Sequence, residues 1–164
     1  MRIASYITSD GIASYGVAEN GQLKDVGAAF RQKYSDLRAV LAAGALGDLA
    51  AAAGQGGVLA EGDVTLISPV PNPDKIICIG LNYMTHINET GRDKPAKPSI
   101  FTRYPSSVTG HGQPMIRPKA SDWFDFEGEL AVIIGTAGRD ITEADAMQHV
   151  AGYSCFNDGS IRDY

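Results

Sequence analysis

Glu127 and Glu129 stand one residue apart in the run Asp125-Phe126-Glu127-Gly128-Glu129-Leu130-Ala131-Val132-Ile133-Ile134-Gly135. On a strand, residues i and i+2 face the same way, roughly 6–7 Å apart at Cα. Like charges on one face of an apolar strand repel unless something offsets them, and the commonest offset is a cation. The pair therefore points to a carboxylate metal site; its ordinary alternative is a solvated strand face. Asp158, at the end of a predicted strand, adds a third hard oxygen donor. Three carboxylates with no Cys nearby suit Mg2+, Mn2+ or Ca2+ better than Zn2+. Read alone, Asp158 is more often a turn residue, and spacing does not establish that the two strands are neighbours.

A second cluster lies in Gly80-Leu81-Asn82-Tyr83-Met84-Thr85-His86-Ile87-Asn88-Glu89. His86 and Glu89, three residues apart, share one face of a helical turn. A Glu that accepts a hydrogen bond from one imidazole nitrogen fixes the tautomer and raises the basicity of the other, as drawing a proton from water requires. An exposed or capping His–Glu pair is the competing reading. Arg162 is a candidate anchor for a substrate carboxylate, because guanidinium matches that group bidentately. A salt bridge to an adjacent or facing acid is the alternative. His111 reads as a loop histidine and His149 as one at a helix C-terminus, where the dipole favours it. Tyr104 and Tyr164 are candidate cleft aromatics, while Trp123 and Phe124 read as packing.

The elements that must position these groups are legible in outline. The composition, 44% apolar and 20% charged, is that of an ordinary globular protein. All eight prolines follow residue 68, and Ser68-Pro69-Val70-Pro71-Asn72-Pro73-Asp74 predicts an extended linker over 68–74. Before it, residues 1–67 read as a small α+β domain. Strands are predicted over 2–8, 12–18 and 22–26, joined at Asp10-Gly11 and Asn20-Gly21. A helix is predicted from Asp36 to about Ala53, capped by Ser35 and ended by Gly54. Gly54-Gln55-Gly56-Gly57 lacks the Gly-Lys-Ser/Thr ending of a phosphate loop.

Residues 75–164 read as mostly β. Strands are predicted over 75–80, 100–104, 124–135 and 150–156, with helical turns over 83–89. Thr142 with Asp145 resembles a capping box opening a short helix to about His149. The fold class is thus α+β, mostly β. The β-rich part has no later strands to cover its edges, so an N-terminal portion of something longer is expected.

Several partners are poor matches. The net charge of −5 and the lack of a basic run argue against nucleic acid and an anionic membrane. The N-terminus lacks the apolar core of a signal peptide, and the Ala-rich tract 39–53 is broken by Gly44, Gly47 and Asp48. Cys78 and Cys155 each sit in an apolar, strand-like run and read as buried free thiols of a cytoplasmic protein.

Taken in order, the pieces resemble the fumarylacetoacetate hydrolase superfamily over roughly residues 68–164. They are Gly80-Leu81-Asn82-Tyr83 with His86 and Glu89; Pro98-Ser99-Ile100-Phe101 through Pro105-Ser106-Ser107; Asp125-Phe126-Glu127-Gly128-Glu129-Leu130; Gly152-Tyr153; and Asn157-Asp158-Gly159-Ser160-Ile161-Arg162-Asp163. The resemblance implies a small N-terminal domain followed by a β-roll catalytic domain of mixed sheets, here incomplete. It implies Mg2+ or Mn2+ held by Glu127, Glu129 and Asp158, with Ca2+ a stand-in in crystals. It implies His86 with Glu89 as a water-activating dyad on a lid-like segment, Arg162 orienting the substrate, and a homodimer. Such enzymes act on β-diketo acids, acylpyruvates and related oxo acids, mainly by C–C hydrolysis; some decarboxylate or isomerise, and a non-catalytic fragment is the remaining alternative. Two departures stand out. Gly159 replaces a larger residue of many relatives, and the family's substrate-binding lysine comes from sequence beyond Tyr164.

Overall fold

The computed structural model describes residues 1–91 and 93–163. Its first five strands, β1 (Ile3–Ile7), β2 (Ala13–Glu19), β3 (Gln22–Asp25), β4 (Val58–Ala60) and β5 (Thr65–Ile67), form one antiparallel sheet in the order β4-β3-β2-β1-β5. The β2–β3 turn falls where Asn20-Gly21 predicts it. Both residues take positive φ, 52° and 74°, as a two-residue hairpin turn of matching twist requires.

Three short helices pack on this sheet: α1 (Ala28–Lys33), α2 (Leu37–Ala42) and α3 (Leu46–Ala52). The single helix predicted from Asp36 to about Ala53 is therefore two. Gly44, at φ 64°, turns the chain into the left-handed region and ends the first. The cap is Asp36 rather than Ser35, its carboxylate accepting the Ala39 N–H at 2.9 Å. Val40 and Leu49, on either side of the break, join Tyr15, Val26, Leu37 and Ala52 in the core.

A charged group completes this core. Asp25 is 5% exposed. Its carboxylate accepts from Tyr6 Oη at 2.6 Å, from Ser14 Oγ, from the Gly27 N–H at 2.6 Å and from Arg31 Nη1 at 2.8 Å. Its carbonyl accepts from the Gly54 and Gly56 N–H groups at 2.9 and 3.1 Å. One residue thus ties β1, β2, α1 and the 54–57 loop together. A Cβ on Gly56 would overlap both Asp25 Oδ1 and the Gly27 backbone, which explains the glycine-rich loop without any phosphate.

The chain divides into two compact units, one comprising Met1–Val70 with Thr109–Tyr164 and the other Pro71–Val108. The proline-rich segment marks the passage into the second unit; nothing in composition marks the return. In the second unit, β6 (Ile76–Gly80) and β7 (Ser99–Arg103) pair antiparallel from Ile76↔Arg103 to Gly80↔Ser99. Between them α4 (Met84–Thr90) ends at Gly91, φ 63°. Cys78 and Ile87 are buried.

In the first unit, β9 (Gly128–Ile134) pairs antiparallel with β10 (Val150–Asn157), and β8 (Phe124–Asp125) with β11 (Ser160–Ile161). The predicted strand 124–135 is thus interrupted at Phe126 and Glu127. Both ladders keep one pairing offset, Glu129↔Phe156 and Gly128↔Asn157 in one and Asp125↔Ser160 in the other. They form a single ribbon with a gap at 126–127 and 158–159, and a bulge at Ala151. In the connection, Thr142 Oγ1 donates to the Asp145 carboxylate at 2.7 Å and accepts the Asp145 N–H at 3.3 Å. The predicted capping pair forms, but it leads into a single 3-10 turn, Ala146–His149, in place of an α-helix.

Cys155 is exposed, contrary to its reading as a buried thiol. It pairs with Leu130 on a ribbon face where Leu130, Val132, Ile134 and Tyr153 are also exposed. An apolar run predicts a strand but not whether both of its faces are covered. The architecture is α+β and mostly β, and no helix among the described residues is long and apolar enough to cross a membrane.

Candidate metal centre

Directly opposed residues of an antiparallel pair project to the same face. Glu129 opposes Phe156, and the common offset carried one step into the gap sets Glu127 opposite Asp158. A backbone bond confirms that step, the Asp158 N–H donating to the Glu127 carbonyl at 2.9 Å. The register therefore places Glu127, Glu129 and Asp158 on one face of the ribbon. Along β9 this face is the half-buried one, while Gly128, Leu130, Val132 and Ile134 are exposed. Asp158 is 2% exposed.

The Glu127 backbone is fixed from both sides. Its carbonyl is held by Asp158, and its N–H donates to Asn157 Oδ1 at 3.0 Å. Asn157 Nδ2 in turn donates to Met115 Sδ at 2.8 Å. The sequence reading gave Asn157 no such part; an Asn at a strand end, able to hydrogen-bond nearby backbone, is the signal available. Gly159 also finds its reason here. A Cβ there would overlap Met115 Cε and lie 3.0 Å from Phe124 Cε2, so Met115 fills the space a larger residue would need.

Arg162 lies against the same group of acids. Its Nε and Nη2 are each 2.9 Å from Asp125 Oδ2, and Nη2 is 3.0 Å from Glu127 Oε1. The hydrogen bonds to Asp125, with the Glu127 charge, hold the guanidinium pKa above its ordinary value despite partial burial. The sequence alternative of a salt bridge to facing acids is what this arrangement contains. It also sets a cation on one of the three candidate ligands.

Among the described residues, no three His, Cys, Asp or Glu side chains converge closely enough to hold a metal ion. The donors nonetheless fit one in chemical type and in the ribbon face their backbone positions share. Three carboxylates share a face, Asp158 is withdrawn from water, and a positive group already sits on Glu127. All-oxygen donors select a hard ion such as Mg2+ or Mn2+.

His86 and Glu89 belong to the Pro71–Val108 unit, on one turn of α4. His86 is half-buried and Glu89 exposed, with Ile87 between them as the helix's buried anchor. Among the described residues no hydrogen bond joins His86 to Glu89. His149 Nδ1 lies 2.9 Å from the Thr136 carbonyl oxygen, at the end of the 3-10 turn, and His111 is an exposed turn residue. Trp123 and Tyr104 are 66% and 76% exposed, so Trp123 does not pack as its sequence context suggested. Tyr164 lies outside the described residues.

Comparison with known proteins bears on the family and the fold. The family model described as fumarylacetoacetate (FAA) hydrolase C-terminal matches residues 75–164. The mitochondrial oxaloacetate tautomerase fahd2 of Xenopus laevis is 43% identical over 107 residues, covering 65% of this chain and 34% of that protein. The solved fumarylacetoacetate hydrolase of Exiguobacterium antarcticum is 37% identical, with a TM-score of 0.77 over 99% of this chain and 57% of that one. A maleylpyruvate hydrolase from Sphingobium sp. SYK-6, solved with manganese(II) and pyruvate, shares the fold at 24% identity, with a TM-score of 0.78 over 100% of this chain and 60% of that one. The chain spans about a third of the length of the curated relatives it matches. With more than half of its residues matched by the family model, the chain belongs to the fumarylacetoacetate hydrolase family.

Proposed function

We propose that this chain carries the metal-binding part of an enzyme that hydrolyses C–C bonds in oxo acids of the acylpyruvate or fumarylacetoacetate type. The observation that supports this most is the placement of Glu127, Glu129 and Asp158 on one ribbon face, with Arg162 beside them. Glu127, Glu129 and Asp158 would hold Mg2+ or Mn2+, which would supply positive charge to offset the negative charge that develops on the oxygens of a 2-oxo or 1,3-dioxo acid. Arg162 offers its guanidinium to the substrate carboxylate while Asp125 holds its other edge. His86 takes the proton of the attacking water, and Glu89 orients the imidazole and stabilises its cation. Asn157 and Asp158 keep the Glu127 backbone in place throughout. The working unit is a homodimer, for which light scattering is expected to give twice the 17.3 kDa chain mass; a monomer at working concentration removes that part of the reading.

A second reading has its own support, the 43% identity to an oxaloacetate tautomerase. Enol–keto interconversion uses the same charge stabilisation but moves one proton between carbon and oxygen and consumes no water. Product analysis separates the two. Hydrolysis of an acylpyruvate gives two acids, whereas tautomerisation changes oxaloacetate absorbance with no new product. In either case EDTA is expected to abolish turnover and Mn2+ or Mg2+ to restore it. His86→Ala is expected to slow turnover by about 100-fold. Turnover untouched by EDTA sinks the metal reading, and a fully active His86→Ala protein sinks the base.

A further inference from the structure

Resting on that metal reading, we propose that Arg162 is an internal competitor for the cation: metal and guanidinium compete for Glu127, and the arm that the metal displaces, still held by Asp125, becomes the anion-binding group. Metal then binds before the anionic substrate, and the one prepares the site for the other.

The asymmetry of the contacts carries the argument. Asp125 Oδ2 receives both Nε and Nη2 of Arg162, each at 2.9 Å, whereas Glu127 Oε1 receives only a share of Nη2, at 3.0 Å. The Glu127 contact can open while the Asp125 contacts persist, so Asp125 is the pivot and Glu127 the exchangeable partner. Glu127 carries a single negative charge, so a divalent cation and a guanidinium held on it compete and each weakens the hold of the other, the more so at a side chain only 22% exposed. The exchange needs no strand movement, because the Glu127 backbone is fixed by Asn157 and Asp158. Arg162 keeps 38% of its side chain exposed, which leaves the released N–H groups open to an anion.

The test is Mn2+ affinity, read from the free-ion EPR signal without any substrate. Arg162→Gln is expected to bind Mn2+ about fivefold more tightly than the wild type, the scale of a part-exposed ion pair removed from competition. Asp125→Asn is expected to bind several-fold more weakly, since the guanidinium then leans wholly on Glu127. The double variant is expected to match Arg162→Gln, because in this proposal Asp125 acts on the metal only through the guanidinium it holds. Arg162→Lys, which keeps the charge but not the fork, is expected to fall between wild type and Arg162→Gln. Weaker or unchanged binding in Arg162→Gln overturns the proposal. So does an Asp125→Asn effect that persists in the double variant, which would show plain charge attraction. Emission from Trp123, the only tryptophan, whose carbonyl accepts the Arg162 N–H at 3.0 Å, checks that each variant keeps the ribbon end folded. Failure of the underlying reading looks different. If the wild type itself binds no Mn2+ at millimolar concentration, the metal site falls and this proposal with it. If the wild type binds and Glu129→Gln abolishes binding, the metal site stands and Arg162→Gln decides the competition.

Discussion

Asp158→Asn is expected to weaken Mn2+ binding by more than about 100-fold, beyond the roughly 10–100-fold that losing a supporting contact costs a metal site. Turnover is expected to fall by about three orders of magnitude, since charge stabilisation by the ion is worth several kcal/mol. The substitution keeps the shape of the side chain and removes only its charge. At 2% exposure, Asp158 is the member of the set least screened by water, so its charge acts on a cation most strongly. The backbone bond from its N–H to the Glu127 carbonyl is unaffected. Burying an amide costs less than burying a carboxylate, so the melting temperature is expected to hold or rise. Lost binding at an undiminished melting temperature identifies a ligand, whereas lost binding with a lowered one identifies scaffolding. Retained binding removes Asp158 from the site.

Asp25→Ala is expected to destabilise the N-terminal sheet by about 3 kcal/mol, the lower end for breaking a buried pair, because Arg31 keeps 23% side-chain exposure. The change strands the hydrogen bonds of Tyr6, Ser14, the Gly27 amide and Arg31 at once. Acid tests the same network. Burial alone would raise the Asp25 pKa, but hydrogen bonds from Ser14, Tyr6 and the Gly27 N–H, with the Arg31 charge, hold it below the ordinary 3.8. A carboxyl depressed in the folded state binds its proton more readily when unfolded. The stability it contributes is therefore complete above the ordinary value and drains away as pH falls below about 4 through the folded-state pKa. Urea unfolding followed by far-UV circular dichroism is expected to show this acid loss in the wild type and a flatter profile in Asp25→Asn. An equally steep acid loss in Asp25→Asn would assign it to other carboxylates.

How much of this was legible beforehand depends on the range of the interaction concerned. Asn20-Gly21 announced its turn because the positive φ values are a local property of those residues. The common face of Glu127 and Glu129 followed from the strand period alone. The split between α2 and α3 was available in Gly44 but lost to the surrounding alanines, whose helix propensity reads straight through it. The pairing of Asp158 with Glu127 was beyond reach, because strand register is settled by contacts between residues about thirty apart, not by either strand. The Asp25 network was hidden for the same reason. Tyr6, Ser14, Asp25 and Arg31 lie on separate elements, and none is unusual until the sheet brings them together. The exposure of Cys155 likewise depends on what covers its face of the ribbon, which its own strand does not encode.

The single offset shared by the two ladders of the ribbon has a consequence for inheritance. One residue gained or lost between Asp125 and Gly128, or between Asn157 and Ser160, would turn a carboxylate to the opposite face unless the facing segment changed with it. A change of length in the connection between Thr136 and His149 leaves that offset intact, while at the ribbon gap descendants of this sequence must alter both sides together or neither.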